Sequence, residues 1–110
     1  MSAEDCARFD AKLDKLEGDV DDWFEDVQKS DLNQPLGSQE QYRRDTGRTD
    51  FWEAKANWIQ YRKQLKDRRD DLNKRCREIS EWAWAHGVIL SNSQVDLLKN
   101  MRENMADVQL

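Results

Sequence analysis

A chain of 110 residues and 13.1 kDa supports one hydrophobic core and has no room for two. It carries 18 Lys and Arg against 23 Asp and Glu, a net charge of −5, and hydrophobic and charged residues each make up 37%. Four Gly and one Pro exclude a β-sandwich or barrel, which needs a turn about every 8–12 residues, and no apolar run approaches the ~18 residues of a membrane span.

Met1-Ser2-Ala3-Glu4-Asp5 is the reverse of a signal peptide, so the expected location is cytoplasmic. A mean hydropathy of −1.09 would suit a disordered chain. Five Trp supply apolar area where aliphatics are scarce, and the apolar residues are periodic rather than scattered. A folded chain is therefore expected.

Within residues 3–29 the apolar positions are Cys6, Phe9, Leu13, Leu16, Val20, Trp23 and Val27, a heptad seam that Phe24 widens at its end. Ser2 with Asp5 resembles a capping box at its start. Gly18 costs about 1 kcal/mol against Ala, too little to break a helix with this seam. Pro35, Gly37 and Gly47 then punctuate a loop over residues 30–49, within which residues 38–44 are a candidate for a short helix.

Asp50 with Glu53 makes a second capping pair, and neither Gly nor Pro recurs until Gly87. The seam runs through Phe51, Ala54, Trp58, Tyr61, Leu65, Arg68, Leu72, Cys76, Ile79 and Trp82 or Ala83. It predicts one helix over 50–86, roughly 54 Å long. His86-Gly87 is its stop, and Val88-Ile89-Leu90 suits a turn tucked against the rest. Ser93 with Asp96 is expected to cap a third helix over 94–108, with Val95, Leu98, Met101, Met105 and Val108 on its buried face.

The expected fold is all-α: an antiparallel, coiled-coil-like helical hairpin with a shorter third helix packed back on it, a three-helix bundle forming a single domain over 1–110. In length and helix count the pattern resembles spectrin-type repeats and the N-terminal bundles of some SNAREs. The likeness is one of architecture, since no motif of either family occurs. Residues 1–29 hold ten acidic and four basic side chains, and residues 51–86 hold six acidic and nine basic. That division favours the hairpin. Along the second helix, Lys63–Asp67, Lys66–Asp70, Asp70–Lys74, Asp71–Arg75, Lys74–Glu78 and Arg77–Glu81 are spaced for i,i+4 pairs.

The single histidine, His86, excludes a His-based metal cluster, and Cys6 and Cys76 sit on seam positions outside any Cys-x-x-Cys motif. No glycine-rich phosphate loop or Gly-x-Ser-x-Gly occurs. No catalytic, metal or cofactor residue is therefore expected, and the chain reads as a non-enzyme.

Trp52, Ala56 and Ile59 form a second apolar stripe on the second helix, out of reach of the third. Its cover is the loop through Leu32, Leu36 and Tyr42, a second copy of the chain, or another protein. The expected function is a non-catalytic protein–protein interaction module: a small cytoplasmic adaptor, or an inhibitor or immunity-type binder of a larger protein. The expected partner is another protein, a basic one in particular, or a second copy, with no membrane involved. The candidate partner-binding residues are Asp21, Asp22, Trp23, Phe24, Glu25, Asp26, Trp52 and Ile59, which the hairpin is expected to gather at one end. The acidic run lacks the oxygen order and central Gly of an EF-hand. The alternative is a nucleic-acid binder using the basic stripe from Arg62 to Arg77, opposed by Asp67, Asp70 and Asp71 within it.

Overall fold

The computed structural model describes residues 2–29 and 36–110. Every regular element among them is a helix: α1 (Ala3–Lys29), α2 (Gln39–Thr46), α3 (Phe51–Ala85) and α4 (Asn92–Ala106). None is long and apolar enough to cross a membrane. There is one helix more than the three of the sequence pattern, because α2 occupies the stretch expected as loop.

The heptad residues of α1 are its buried face: Phe9, Leu13, Leu16, Val20, Trp23 and Val27. The Ser2 hydroxyl accepts from the Asp5 backbone N–H at 3.0 Å and so starts the helix. The register on α3 is antiparallel. Asp19 meets Arg75 and Asp26 meets Arg68, each at 2.8 Å, while the Trp23 indole donates to the Leu65 carbonyl at 2.9 Å. The charge division between the helices thus acts as cross-helix bridges. Of the six i,i+4 pairs expected along α3, Lys74–Glu78 alone forms among the described residues, at 3.8 Å. Arg75 turns away from Asp71 because its flank of α3 faces the aspartates of α1.

From α3 the core takes Leu65, Leu72, Cys76, Ile79 and Ala83, and from α4 Leu98, Met101 and Met105. Arg68, expected on the seam, is on the surface, and its neighbour Arg69 turns inward. The Arg69 guanidinium lies 6.0 Å from the Trp23 ring centroid and donates to the carbonyls of Met105 at 3.1 Å and Val108 at 2.7 Å. One side chain of α3 therefore stacks on α1 and closes the C-terminal end of α4, where carbonyls lack helical partners.

The turn from α3 to α4 rests on Gly87, which adopts φ 66, the left-handed conformation that an L side chain resists. The Val88 N–H then reaches the Ala83 carbonyl at 2.8 Å, and Val88 is buried. Ile89, expected to tuck in with it, points outward at 79% exposure. A full capping box of Ser91 and Gln94 starts α4, in place of the expected Ser93 and Asp96. Gln94 also donates to Asp10 of α1 at 3.2 Å. Val95, expected on the buried face, is half exposed. The described residues form a rod of 62 × 20 × 15 Å.

Candidate functional site

The first three turns of α3 are packed differently from the rest. The last residue of α1, Lys29, pairs with Glu25 at 3.0 Å, which favours its protonated form, and the Asp26–Arg68 bridge sets the last turn of α1 beside the middle of α3. With that register, residues 51–60 of α3 run about 15 Å past the end of α1, although Trp58 among them still packs against the core. They form an overhang.

One side of the overhang is held by α2. Ser38 caps α2 by accepting from Gln41 N–H at 3.2 Å, and the helix exists to present Tyr42, its one buried residue. The Tyr42 ring packs edge-on to Phe51 with centroids 5.8 Å apart, and its hydroxyl donates to Asp50 at 2.8 Å. Arg48 bridges the same carboxylate. Asp50 therefore stands at the N-terminus of α3 without a side-chain capping bond, contrary to the sequence expectation: both its oxygens serve α2 and Arg48. The hydroxyl and the Arg48 guanidinium hold the Asp50 carboxyl below its ordinary range. The same carboxylate, aided by burial, pushes the Tyr42 phenol up.

The other side of the overhang carries Trp52 and Ile59, 66% and 52% exposed, with exposed Ala56 between them. Trp52 packs edge-on to Phe51 at 5.1 Å, and the Lys55 ammonium stands 5.5 Å from its ring centroid. These contacts fix an indole that remains largely in water. Of the loop residues expected to cover the stripe, Tyr42 is buried against Phe51, Leu36 is half-buried, and Leu32 lies outside the described residues.

Of the eight candidate partner-binding residues, Trp52 stands apart from the acidic group of α1. Trp23 is fully buried, so it supports the fold and offers no surface. Phe24 is half-buried, edge-on to Trp23 at 5.1 Å. Asp21, Asp22 and Glu25 are exposed, Glu25 pairs with Lys29 at 3.0 Å, and Asp26 bridges Arg68. This acidic group sits opposite Leu65 and Arg68. Trp52 is 13 residues from Leu65 along α3, roughly 20 Å away, and Ile59 is six residues from Leu65, roughly 9 Å away. The separation has a simple cause: α2, inserted in the connection, takes the place beside the start of α3 that a tight hairpin would give to α1.

The basic stripe of α3 is largely engaged within the chain. Arg68 and Arg75 bridge to α1, Arg69 closes α4, and the Arg62 guanidinium stacks 4.7 Å from the Trp58 ring centroid. Burial pushes the Cys76 thiol up, against the opposing pull of Arg102 and Arg75. Two further apolar residues are exposed, Trp84, which the sequence pattern assigned to no role, and Ile89, which was expected to tuck in, at 86% and 79%. They flank the Gly87 turn, beside His86 stacked on Trp82 at 4.0 Å. Trp84 was legible as surface, since the seam passes through Trp82 and Ala83 and leaves it on the opposite side.

No family model matches the chain, and neither a curated protein nor a solved structure matches it.

Proposed function

We propose that the protein is a non-catalytic interaction module, acting in the cytoplasm as an adaptor or an inhibitor- or immunity-type binder, which holds its partner on the overhang of α3. The observation that carries this reading is the stripe of Trp52, Ala56 and Ile59, exposed on a helix whose Phe51 is packed against Tyr42 of α2. An indole on a fixed backbone loses little conformational freedom on binding, and Trp is among the residues that most often dominate interface energies. In this reading α1, α3 and α4 form an antiparallel three-helix bundle that serves as the rigid support. The exposed carboxylates of Asp21, Asp22 and Glu25 lie farther along the rod and favour a partner with a basic rim. The nucleic-acid alternative has less support, because Arg68, Arg69 and Arg75 already have partners within the chain.

The test is the double variant Trp52→Ala with Ile59→Ala. Its circular dichroism should match the parent. Association, read as self-association by sedimentation or as recovery of a stoichiometric partner from native cells, should be lost. Unfolding of the variant would identify the stripe as core, and normal association would place the working surface elsewhere.

A further inference from the structure

Helix α4 is pinned at both ends, by Gln94 to Asp10 and by Arg69 to the Met105 and Val108 carbonyls. Between those pins, its flank towards α3 stays open. The gap is a groove of about 840 Å³ that extends from Asp70 to Ser80 on α3 and from Leu90 to Ala106 across α4. Its apolar lining is Cys76, Leu90, Val95, Leu98 and Ala106, with no aromatic ring. Val95 carries the apolar residue of the α4 seam that found no cover in the fold. Asn73 also lines the groove, and its side-chain carbonyl is buried with no hydrogen-bond donor. A buried acceptor without a donor is destabilising, so the packing beside the groove is not optimised for the fold alone.

The charges on the margins are ordered. Lys99 lies 4.0 Å from Glu103, whereas Arg77 and Arg102 form no ion pair among the described residues. Arg77 and Lys99 stand towards the α3–α4 turn, Asp70 and Glu103 towards the opposite end, and Arg102 beside Glu103. With three basic and two acidic side chains, the margins carry a small positive excess on a chain whose net charge is −5.

We propose that this groove is a second docking surface, separate from the overhang, and that it takes an amphipathic helix with acidic flanks from another protein. The ten-residue reach from Asp70 to Ser80 is about 15 Å, the length of nearly three helical turns. An aliphatic floor between two helices suits residues at i, i+3, i+4 and i+7 of a third. Polar margins along the whole length suit a helix better than a hydrocarbon chain, which needs dry walls. Carboxylates on the guest's flanks would meet Arg77 and Arg102.

The probes are two fluorescein-labelled peptides of about 14 residues with the same Leu and Ala face, one flanked by Glu and the other by Lys. In anisotropy titrations of the full chain, the Glu peptide should bind about tenfold or more tighter than the Lys peptide. Arg77→Glu with Arg102→Glu should reverse that preference. Val95→Asp, at a half-exposed position that the fold tolerates, should weaken the Glu peptide with unchanged circular dichroism. The overhang variant Trp52→Ala with Ile59→Ala should bind the Glu peptide like the parent. Equal binding of both peptides, no binding by either, survival of binding in the groove variants, or its loss in the overhang variant would each overturn the proposal.

Discussion

Arg68 and Arg69 are adjacent arginines with opposite roles. Arg68 makes one exposed bridge to Asp26, with both side chains around two-fifths exposed. Arg69 makes two hydrogen bonds to the end of α4 and stacks on Trp23. Truncation to Ala should therefore cost about 1–3 kcal/mol at Arg69, where two charge-assisted hydrogen bonds to the end of α4 are lost, and about 0–1 kcal/mol at Arg68. Urea denaturation of the two variants checks this, and equal losses would contradict the assignment of Arg69 as the link between helices. The sequence pattern chose the wrong arginine for a physical reason. A straight helix drifts about 20° per heptad from a strict 3.5-residue repeat. Counted from Phe51, the drift by the second and third heptads is about half the angular step between neighbouring residues. Apolar seam residues such as Leu65 and Leu72 were still placed correctly, because no apolar neighbour competed with them.

At the scale of elements, helix positions were legible and their caps less so. Both Ser91 and Ser93 stand three residues before a polar side chain. Gln94 reaches back to the Ser91 N–H at 2.9 Å, a span that the shorter Asp96 side chain is less suited to cover. Ser91→Ala should accordingly destabilise the protein by about 1 kcal/mol, and Ser93→Ala by less than about 0.5 kcal/mol, in thermal denaturation. The reverse order would restore the sequence expectation. Helix α2 was legible only as a candidate, since its eight residues contain a single buried side chain and depend on docking to Phe51.

That docking is pH-dependent in a definite direction. The Tyr42 hydroxyl and Arg48 favour the ionised form of Asp50, so its folded value is below the ordinary 3.8. The stabilisation is complete above that ordinary value and is lost as pH falls through the lower folded one. Amide exchange of α2, followed by NMR from about pH 5 downward, should show α2 loosening below about pH 4. In Asp50→Asn the loosening should be present already at pH 5. A parent α2 that stays protected at the lowest pH would show that Asp50 does not hold it.

On the scale of the whole molecule, the rod has apolar side chains exposed near both ends: Trp52 and Ile59 on the overhang, Trp84 and Ile89 around the Gly87 turn. The sequence showed Trp52 and Ile59 as leftovers of helix formation, because their spacing sets them beside the seam. It did not show their distance from the acidic end of α1. That distance depends on how the connection is filled, and α2 fills it with a turn-forming segment whose only buried side chain is Tyr42. The central claim is that residue 52 faces another molecule. Replacing Trp52 by photo-reactive benzoylphenylalanine and irradiating native cells tests it most directly. The account predicts a discrete intermolecular adduct, to one partner protein or to a second copy, that disappears when Ile59→Ala is added. Cross-links found only within the same chain, to residues 30–38, would contradict it.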